Sequence, residues 1–168
     1  MPPYFYTLVK SVNPLFEAFS PLDITAYTFA LPAAPFCADI HHTIDIEVIL
    51  KKYHFLCQYC DILLVEGAGG LLVPMTQDFT MLDLIVKLSA PTLLITPSRL
   101  GCINDTLLSI QALKSRNVSF DWCVNLYEDQ DSFSEVTQPY YDATFTQWWS
   151  VAKGLDRYVE NLCYHTSS

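Results

Sequence analysis

The amino-acid sequence predicts an α/β fold in which helices flank a parallel sheet. Three short, mainly apolar runs, at 62–65, 92–95 and 118–126, alternate with segments of helical periodicity. Such alternation is typical of parallel sheets whose strands are joined by right-handed crossovers. Because the first two runs are apolar except for Thr92, we expect strands that are buried on both faces of the sheet.

Apolar side chains at helical spacing predict the helices that precede the second strand. The first helix covers residues 44–60. The second covers residues 80–88, where Thr80 serves as the N-cap and Pro91 ends the helical pattern. The helix at 80–88 therefore lies between the first and second predicted strands, as a parallel sheet requires, and the helix at 44–60 leads into the first.

The third predicted helix covers residues 104–116 and is followed by Asn117, a residue type that is common just after a helix end. Its predicted core-facing side chains are Leu107, Leu108, Ile110 and Leu113. A further helix is expected at 148–163. We expect one domain over residues 1–168, with an irregular or helical tail at 127–168.

Length and charge restrict the classes of function. The chain has 168 residues, of which 51% are hydrophobic, so it is long enough for one domain with a buried core. A net charge of -9 argues against nucleic-acid binding, which needs clustered cations. No uncharged apolar stretch reaches the roughly 18 residues of a membrane helix, and the N-terminus lacks a signal-peptide pattern. We expect no nucleic-acid partner, no membrane partner and a cytoplasmic location.

A glycine-rich turn, residues 66–70 (EGAGG), follows the first predicted strand. Glycines let a ligand approach the backbone closely because they have no Cβ. The carboxylate of Glu66, at the end of a buried strand, is well placed to hold Mg²⁺ beside a phosphate. The same pattern also fits an ordinary turn with an exposed glutamate, so the residues alone leave both interpretations open.

Polar segments also follow the second and third predicted strands. Residues 98–105 lead into a helix, and the backbone N–H groups at a helix start favour an anion such as a carboxylate. Asn104 or Asp105 could equally serve only as an N-cap. Asn125 could hydrogen-bond a base or simply close a turn. Together these residues predict an anionic-ligand site at the carboxyl edge of the sheet.

Three groups of residues stand out by their identity, order and spacing. They are residues 65–71 (VEGAGGL) with Pro74, residues 100–104 (LGCIN), and residues 27–29 (YTF) followed by 32–35 (PAAP). Together they resemble the dethiobiotin synthetase family. The resemblance covers about residues 24–126. It implies a P-loop NTPase-like parallel sheet flanked by helices.

The resemblance also implies an activity, that of an ATP- and Mg²⁺-dependent cyclo-ligase of biotin biosynthesis. One amine of 7,8-diaminononanoate captures CO₂ as a carbamate, and the carbamate attacks the γ-phosphate of ATP to give a carbamic-phosphoric anhydride. The second amine then closes the ureido ring and releases phosphate. In this family a neighbouring subunit supplies part of the substrate site, so the resemblance implies a homodimer.

Carried over residue by residue, the resemblance implies that Glu66 is the Mg²⁺ ligand and the catalytic carboxylate. Gly69 and Gly70 would lie against substrate and phosphates, and Asn125 would read the nucleotide base. The implied substrate-binding residues are Ala34 and Pro35 beside the diamine, and Gly101, Cys102, Ile103 and Asn104 at its carboxylate.

The sequence departs from the family at the phosphate-binding loop. None of its five glycines belongs to a G-x-x-x-x-G-K-[ST] motif, and Phe36 stands where the family commonly has histidine. We therefore expect a sheet that is incomplete, without the first strand and the phosphate loop. A true start upstream of Met1 would explain this. The alternative function is a non-catalytic remnant that dimerises or binds the diamine without turning over ATP.

Overall fold

The computed structural model describes residues 19–127 and 130–166. Contacts between residues divide the chain into two units, whose boundary in the sequence lies between Met81 and Leu82. Helices and a parallel strand pair make an α/β architecture, which confirms the predicted fold class. The single domain over residues 1–168 stays a prediction.

The first unit contains short helices and one hairpin. Its elements are α1 (Pro21–Ile24), α2 (Pro35–Ala38), α3 (Ile46–Leu56), β1 (Pro74–Thr76) and β2 (Phe79–Thr80), and the two strands pair antiparallel. The carboxylate of Asp45 caps α3 by accepting a hydrogen bond from the N–H of Glu47 at 2.9 Å. The helix predicted within residues 44–60 is therefore confirmed, whereas the hairpin was not expected from the sequence.

The strand predicted at residues 62–65 is wrong. This segment has no regular secondary structure and belongs to neither of the two sheets. Leu64 is 86% exposed and Val65 is 52% exposed, so the run is not buried on both faces. A strand needs a neighbouring strand to satisfy its backbone N–H and C=O groups, and an apolar local pattern does not supply one.

The second unit is built on a parallel strand pair. Its first elements are α4 (Met81–Leu88, whose first residue closes the preceding unit), β3 (Thr92–Thr96), α5 (Cys102–Ser115) and β4 (Phe120–Val124). β3 and β4 pair in parallel, from Thr92 opposite Phe120 to Thr96 opposite Val124. The second and third predicted strands and the helix between them are therefore confirmed. Asn117 follows α5 in the left-handed conformation, with φ +54°, as its position after the helix suggested.

The remaining elements of the second unit are helical. They are α6 (Gln130–Ser132), a π-helix (Phe133–Thr137), α7 (Gln138–Thr144) and α8 (Val151–Thr166). The helix predicted at 148–163 is confirmed, with its start at Val151. Just before it, Ser150 makes an isolated parallel bridge to Val124, the last residue of β4. The chain after Asn125 is thus tied back to the strand pair.

Aromatic rings from this tail form the core of the second unit. Phe133 is 1% exposed and Tyr141 is 0% exposed, and both pack with Cys102 and Val124. The Tyr141 hydroxyl lies 2.9 Å from Thr106 Oγ1 and donates to the Cys102 carbonyl at 3.3 Å. Burial raises the pKa of Tyr141 to about 12, so this hydroxyl stays protonated and able to donate. The core therefore holds the first turns of α5.

The predicted core face of α5 is only partly right. Ile110 and Leu113 are buried, but Leu107 and Leu108 are 36% and 57% exposed. The buried positions on this helix are Cys102, Thr106, Ile110 and Leu113. Their spacing of four, four and three residues is that of one helical stripe, and positions 107 and 108 lie off that stripe.

Candidate functional site

The carboxyl ends of β3 and β4 lie at the same edge of the parallel pair. Thr96 ends β3 and Asn125 follows β4 directly, and the Asn125 N–H donates to the Thr96 carbonyl at 2.8 Å. The buried Thr96 hydroxyl donates to the Cys123 carbonyl at 3.3 Å, which ties the two strand ends together a second time. Ligands of open parallel sheets bind at this edge. The structure thus places Asn125 where the sequence predicted it.

A cavity of about 370 Å³ opens at this edge. It is lined by Ile95, Thr96, Pro97, Ser98, Arg99, Asn125 and Tyr127. Its volume falls in the range of small-molecule sites. The lining combines apolar surface with hydroxyl, amide and guanidinium groups, so the cavity suits a flat polar ring or an anion. Arg99 belongs to the polar segment 98–105 that the sequence indicated, although no role was predicted for it. Thr96 and Tyr127 were not predicted, although each lies within three residues of a strand end.

The loop that leads into α5 has a backbone that requires glycine. Gly101 has φ +91°, in the left-handed region, and it is the N-cap of α5. Ile103 is half-buried and Asn104 is exposed. Cys102 is 1% exposed and packs in the core, so a ligand outside the core would meet its backbone rather than its thiol. Of the four residues predicted to bind substrate here, the exposed ones are Gly101 and Asn104.

The glycine-rich turn of the first unit is exposed. Glu66, Gly69 and Gly70 are all exposed, and this exposure is compatible with a ligand site and with an ordinary turn. Gly69 has φ +79°, and a Cβ there would lie 3.0 Å from Val73 Cγ2, so only glycine fits without strain. At Gly70 a Cβ would meet no atom within 4 Å. Gly69 is therefore the glycine that shapes this turn.

The remaining predicted residues, Ala34 and Pro35, start helix α2. Ala34 is its N-cap and Pro35 its first residue, and both are half-buried. Proline is favoured at the first position of a helix because its fixed φ suits the helix there. Phe36, the residue at the family's histidine position, stacks on His42 with the ring centroids 5.2 Å apart.

A second cavity, of about 410 Å³, lies within the first unit. It is lined by Phe36, Asp39, His42, Ile44, Met75, Thr76, Gln77 and Asp78. Asp39 is only 4% exposed and accepts hydrogen bonds from Thr43 Oγ1 at 2.9 Å and from the Ile44 N–H at 2.7 Å. Burial opposes ionisation of this carboxyl, but the hydrogen bonds outweigh burial, and the pKa of Asp39 lies below its usual value of 3.8.

This lowered pKa predicts an acid-sensitive contribution to stability. Because the folded chain favours the carboxylate, the contribution of Asp39 is present above pH 3.8 and is lost as the pH falls through the folded-state pKa. We expect the urea midpoint of the wild type to fall more steeply below pH 4 than that of Asp39→Asn. Asp78→Asn, on the same cavity wall, should follow the wild type. Parallel curves for wild type and Asp39→Asn would contradict this assignment.

The described residues contain neither a candidate metal centre nor a membrane-spanning helix. No group of three or more His, Cys, Asp or Glu side chains among them is arranged to hold a metal ion. No helix in the described part of the chain is long and apolar enough to cross a membrane.

The sequence contains one C-x-x-C pair, Cys57 and Cys60. The pair lies at the end of α3, where Cys57 is exposed and Cys60 is half-buried.

Comparison with known proteins identifies the family. A family model described as an AAA domain matches residues 14–122. The ATP-dependent dethiobiotin synthetase BioD of Sulfurovum sp. (strain NBC37-1) is 64% identical over 153 residues, which are 91% of this chain and 73% of that protein. The BioD proteins of Wolinella succinogenes and Helicobacter pylori (strain Shi470) are 35% and 37% identical, over 83% and 71% of this chain.

The chain spans 66% of the Wolinella protein and 57% of the Helicobacter protein. The matched residues 14–122 of the family model include the glycine-rich turn and the loop before α5. The chain belongs to the ATP-dependent dethiobiotin synthetase family, whose members are P-loop NTPase-like α/β proteins.

Proposed function

We propose that this chain acts in biotin biosynthesis as an ATP-dependent dethiobiotin synthetase. It would join CO₂ to 7,8-diaminononanoate and close the ureido ring at the expense of ATP. The observation that carries this proposal is 64% identity to a dethiobiotin synthetase over 91% of the chain. The proposed use of ATP also supports a cytoplasmic location.

The main contribution of the protein to this reaction is to position the substrates. An amine nitrogen bonds to the carbon of CO₂, and a carbamate oxygen then attacks the γ-phosphorus while ADP leaves. The second amine attacks the carbonyl carbon, and phosphate leaves as the ring closes. Such steps gain most from correct alignment and from charge stabilisation around the phosphoryl group.

Asn125 is the residue that we assign to the nucleotide base. Its side chain carries an amide that can donate and accept at once, which matches the mixed edge of a purine. It lines the 370 Å³ cavity together with Ile95, Pro97 and Tyr127, whose apolar surface suits the faces of a flat ring. These residues support a base-binding role at the carboxyl edge of the strand pair.

The loop before α5 is assigned to the carboxylate of the diamine. The first turn of a helix presents backbone N–H groups that have no acceptor inside the helix, and these favour an anion. Gly101 and Asn104 are exposed at this turn, so a carboxylate of a substrate bound to a second protomer could reach them. The homodimer is proposed because the family resemblance implies it, and the exposure of these two residues is compatible with it. Ala34 and Pro35 are assigned to the diamine itself.

Glu66 fits a magnesium ion that is shared with a phosphate. Mg²⁺ often takes one or two carboxylates and completes its shell with water and substrate phosphate oxygens, so a single exposed carboxylate is a suitable donor. The exposed turn at Gly69 and Gly70 leaves the backbone beside Glu66 open to such a ligand. When bound, the ion would neutralise charge on the phosphates, and Glu66 would hold it.

A second candidate function is a non-catalytic remnant that binds the diamine or dimerises. The observation that favours it is specific: no G-x-x-x-x-G-K-[ST] motif occurs in the 168 residues. That loop cradles the phosphates in P-loop proteins. This candidate keeps the loop before α5 but lacks a cradle for the triphosphate, so it would bind the diamine without turning over ATP.

Titration calorimetry of the full 168-residue chain separates the two candidates. For the synthetase we expect heat from the diamine and from ATP with Mg²⁺, and formation of dethiobiotin when both are present with CO₂. Asn125→Ala should weaken ATP binding without affecting the diamine, whereas Asn117→Gly, at an exposed helix end, should change neither. Diamine heat without ATP heat would support the remnant, and the absence of both heats would overturn the synthetase and the diamine-binding form of the remnant.

A further inference from the structure

Arg99 is the charged residue among the seven that line the cavity at the carboxyl edge of β3 and β4. Its guanidinium donates through Nη2 to Asp105 Oδ2 at 2.8 Å and through Nη1 to the carbonyl of Leu100 at 3.1 Å. Asp105 belongs to the first turn of α5. The side chain therefore reaches from the cavity wall to the start of the helix.

The ion pair between Arg99 and Asp105 is weak. The two side chains are 51% and 40% exposed, and pairs that are this open to water contribute little net stability. A guanidinium has five N–H donors in a planar fork, and the hydrogen bonds to Leu100 and Asp105 use two of them. An anion in the cavity could therefore displace Asp105 from the guanidinium with little loss of stability.

The surroundings of Arg99 favour an anion over a neutral ligand. The whole chain carries a net charge of -9, whereas the charged side chain on this cavity wall is positive. The N-terminus of α5, a helix of 14 residues, begins at Cys102, three residues after Arg99. Its partial positive charge adds to that of the guanidinium.

We propose that Arg99 recognises the anionic group of a ligand in this cavity, and that the carboxylate of Asp105 occupies the guanidinium until that anion displaces it. Planar guanidinium forks bind phosphates and carboxylates bidentately. The proposal deepens the proposed function, on which it rests for the choice of ligand: the anion would be a phosphate of ATP or the carboxylate of the diamine. Neither protein side chain is consumed or modified in this exchange.

The test measures binding to the full chain by titration calorimetry, with inorganic phosphate, ATP and 7,8-diaminononanoate as separate probes. We expect Arg99→Gln to weaken binding of one anion class at least tenfold, because hydrogen bonds to charged groups are among the strong ones. Arg99→Lys should restore part of the loss, since it keeps the charge but not the fork. Lys114→Gln, which removes one positive charge from the last turn of α5, is the matched control and should change nothing.

Asp105→Asn tests the exchange itself. If Asp105 competes with the ligand, its neutralisation should tighten anion binding, by at most about fivefold given the weakness of an exposed pair. Loss of phosphate and ATP binding in Arg99→Gln with the diamine unchanged identifies a phosphate ligand, and the reverse pattern identifies a carboxylate. Unchanged affinity for all three probes in Arg99→Gln would overturn the proposal. Weaker binding in Asp105→Asn would overturn the exchange, because Asp105 would then position the guanidinium.

These outcomes are independent of turnover. A chain that does not make dethiobiotin can still bind inorganic phosphate at Arg99, so failure of the proposed function leaves a positive phosphate result standing. Conversely, an active chain in which Arg99→Gln binds every probe like the wild type would refute only the role of Arg99. Salt supplies a further readout, since the Arg99-dependent part of binding should weaken as ionic strength rises.

Discussion

Replacement of Glu66 by glutamine should raise the Mg²⁺ concentration for half-maximal ATP binding or turnover by at least about tenfold. The reason is that glutamine keeps the size of the side chain but removes the charge that a divalent cation needs. Groups that only support a metal ligand already contribute about 10- to 100-fold to metal affinity, so loss of a ligand should cost no less. The measurement is a Mg²⁺ titration at fixed ATP, for wild type and variant.

Asp61→Asn is the matched control for this experiment. Asp61 is an exposed carboxylate five residues before Glu66, so its neutralisation changes the net charge by the same amount. We expect its Mg²⁺ curve to coincide with that of the wild type. If Glu66→Gln and the wild type also coincide, Glu66 is an ordinary exposed residue of a glycine-rich turn and the assignment of the ion to it is wrong.

Truncation of Tyr141 to alanine should lower the free energy of unfolding by about 3–5 kcal/mol. Tyr141 is fully buried and its ring contacts Trp122, Phe133 and Phe145, with centroid distances of 5.7, 5.6 and 5.5 Å. The alanine variant loses these contacts and leaves a cavity. Urea unfolding followed by tryptophan fluorescence measures the loss.

Two further variants separate packing from hydrogen bonding at this position. Tyr141→Phe keeps the ring but removes the hydroxyl partner of Thr106 and of the Cys102 carbonyl, and we expect a loss of about 1–3 kcal/mol because a buried polar group loses its partner. Tyr140→Ala removes an adjacent, 39% exposed tyrosine and should cost less than about 1 kcal/mol. Equal effects of Tyr141→Ala and Tyr140→Ala would contradict the described core.

The same tyrosine connects the core to the candidate site. Its hydroxyl contacts Cys102 and Thr106, which belong to the first turns of α5, and the loop at Gly101 precedes them directly. We therefore expect Tyr141→Phe to weaken diamine binding as well. The loss of affinity at 25 °C should exceed the loss that a larger fraction of unfolded chain would cause. This second readout would not change if the tyrosine served only as packing.

Local sequence patterns were sufficient to predict the elements that are stabilised by residues nearby in the sequence. The periodicity of residues 44–60 predicted α3, and the turn chemistry around Asn117 predicted the end of α5. The strand predicted from the apolar run at 62–65 was wrong because its burial depends on a pairing partner that local sequence does not specify. The predicted burial of Leu107 and Leu108 was wrong for a related reason, because the aromatic tail determines which stripe of α5 is covered.

The sequence by itself determined the family, the parallel order of β3 and β4, and the position of Asn125 after the second of these strands. These features follow from motif spacing and from the rule that parallel strands end at one edge. Only the tertiary structure decided that Arg99 faces a cavity and pairs with Asp105, that the Cys102 thiol lies in the core, and that Leu64 is exposed. The physical reason is that burial and pairing depend on residues distant in the chain, whereas spacing and turn chemistry are local.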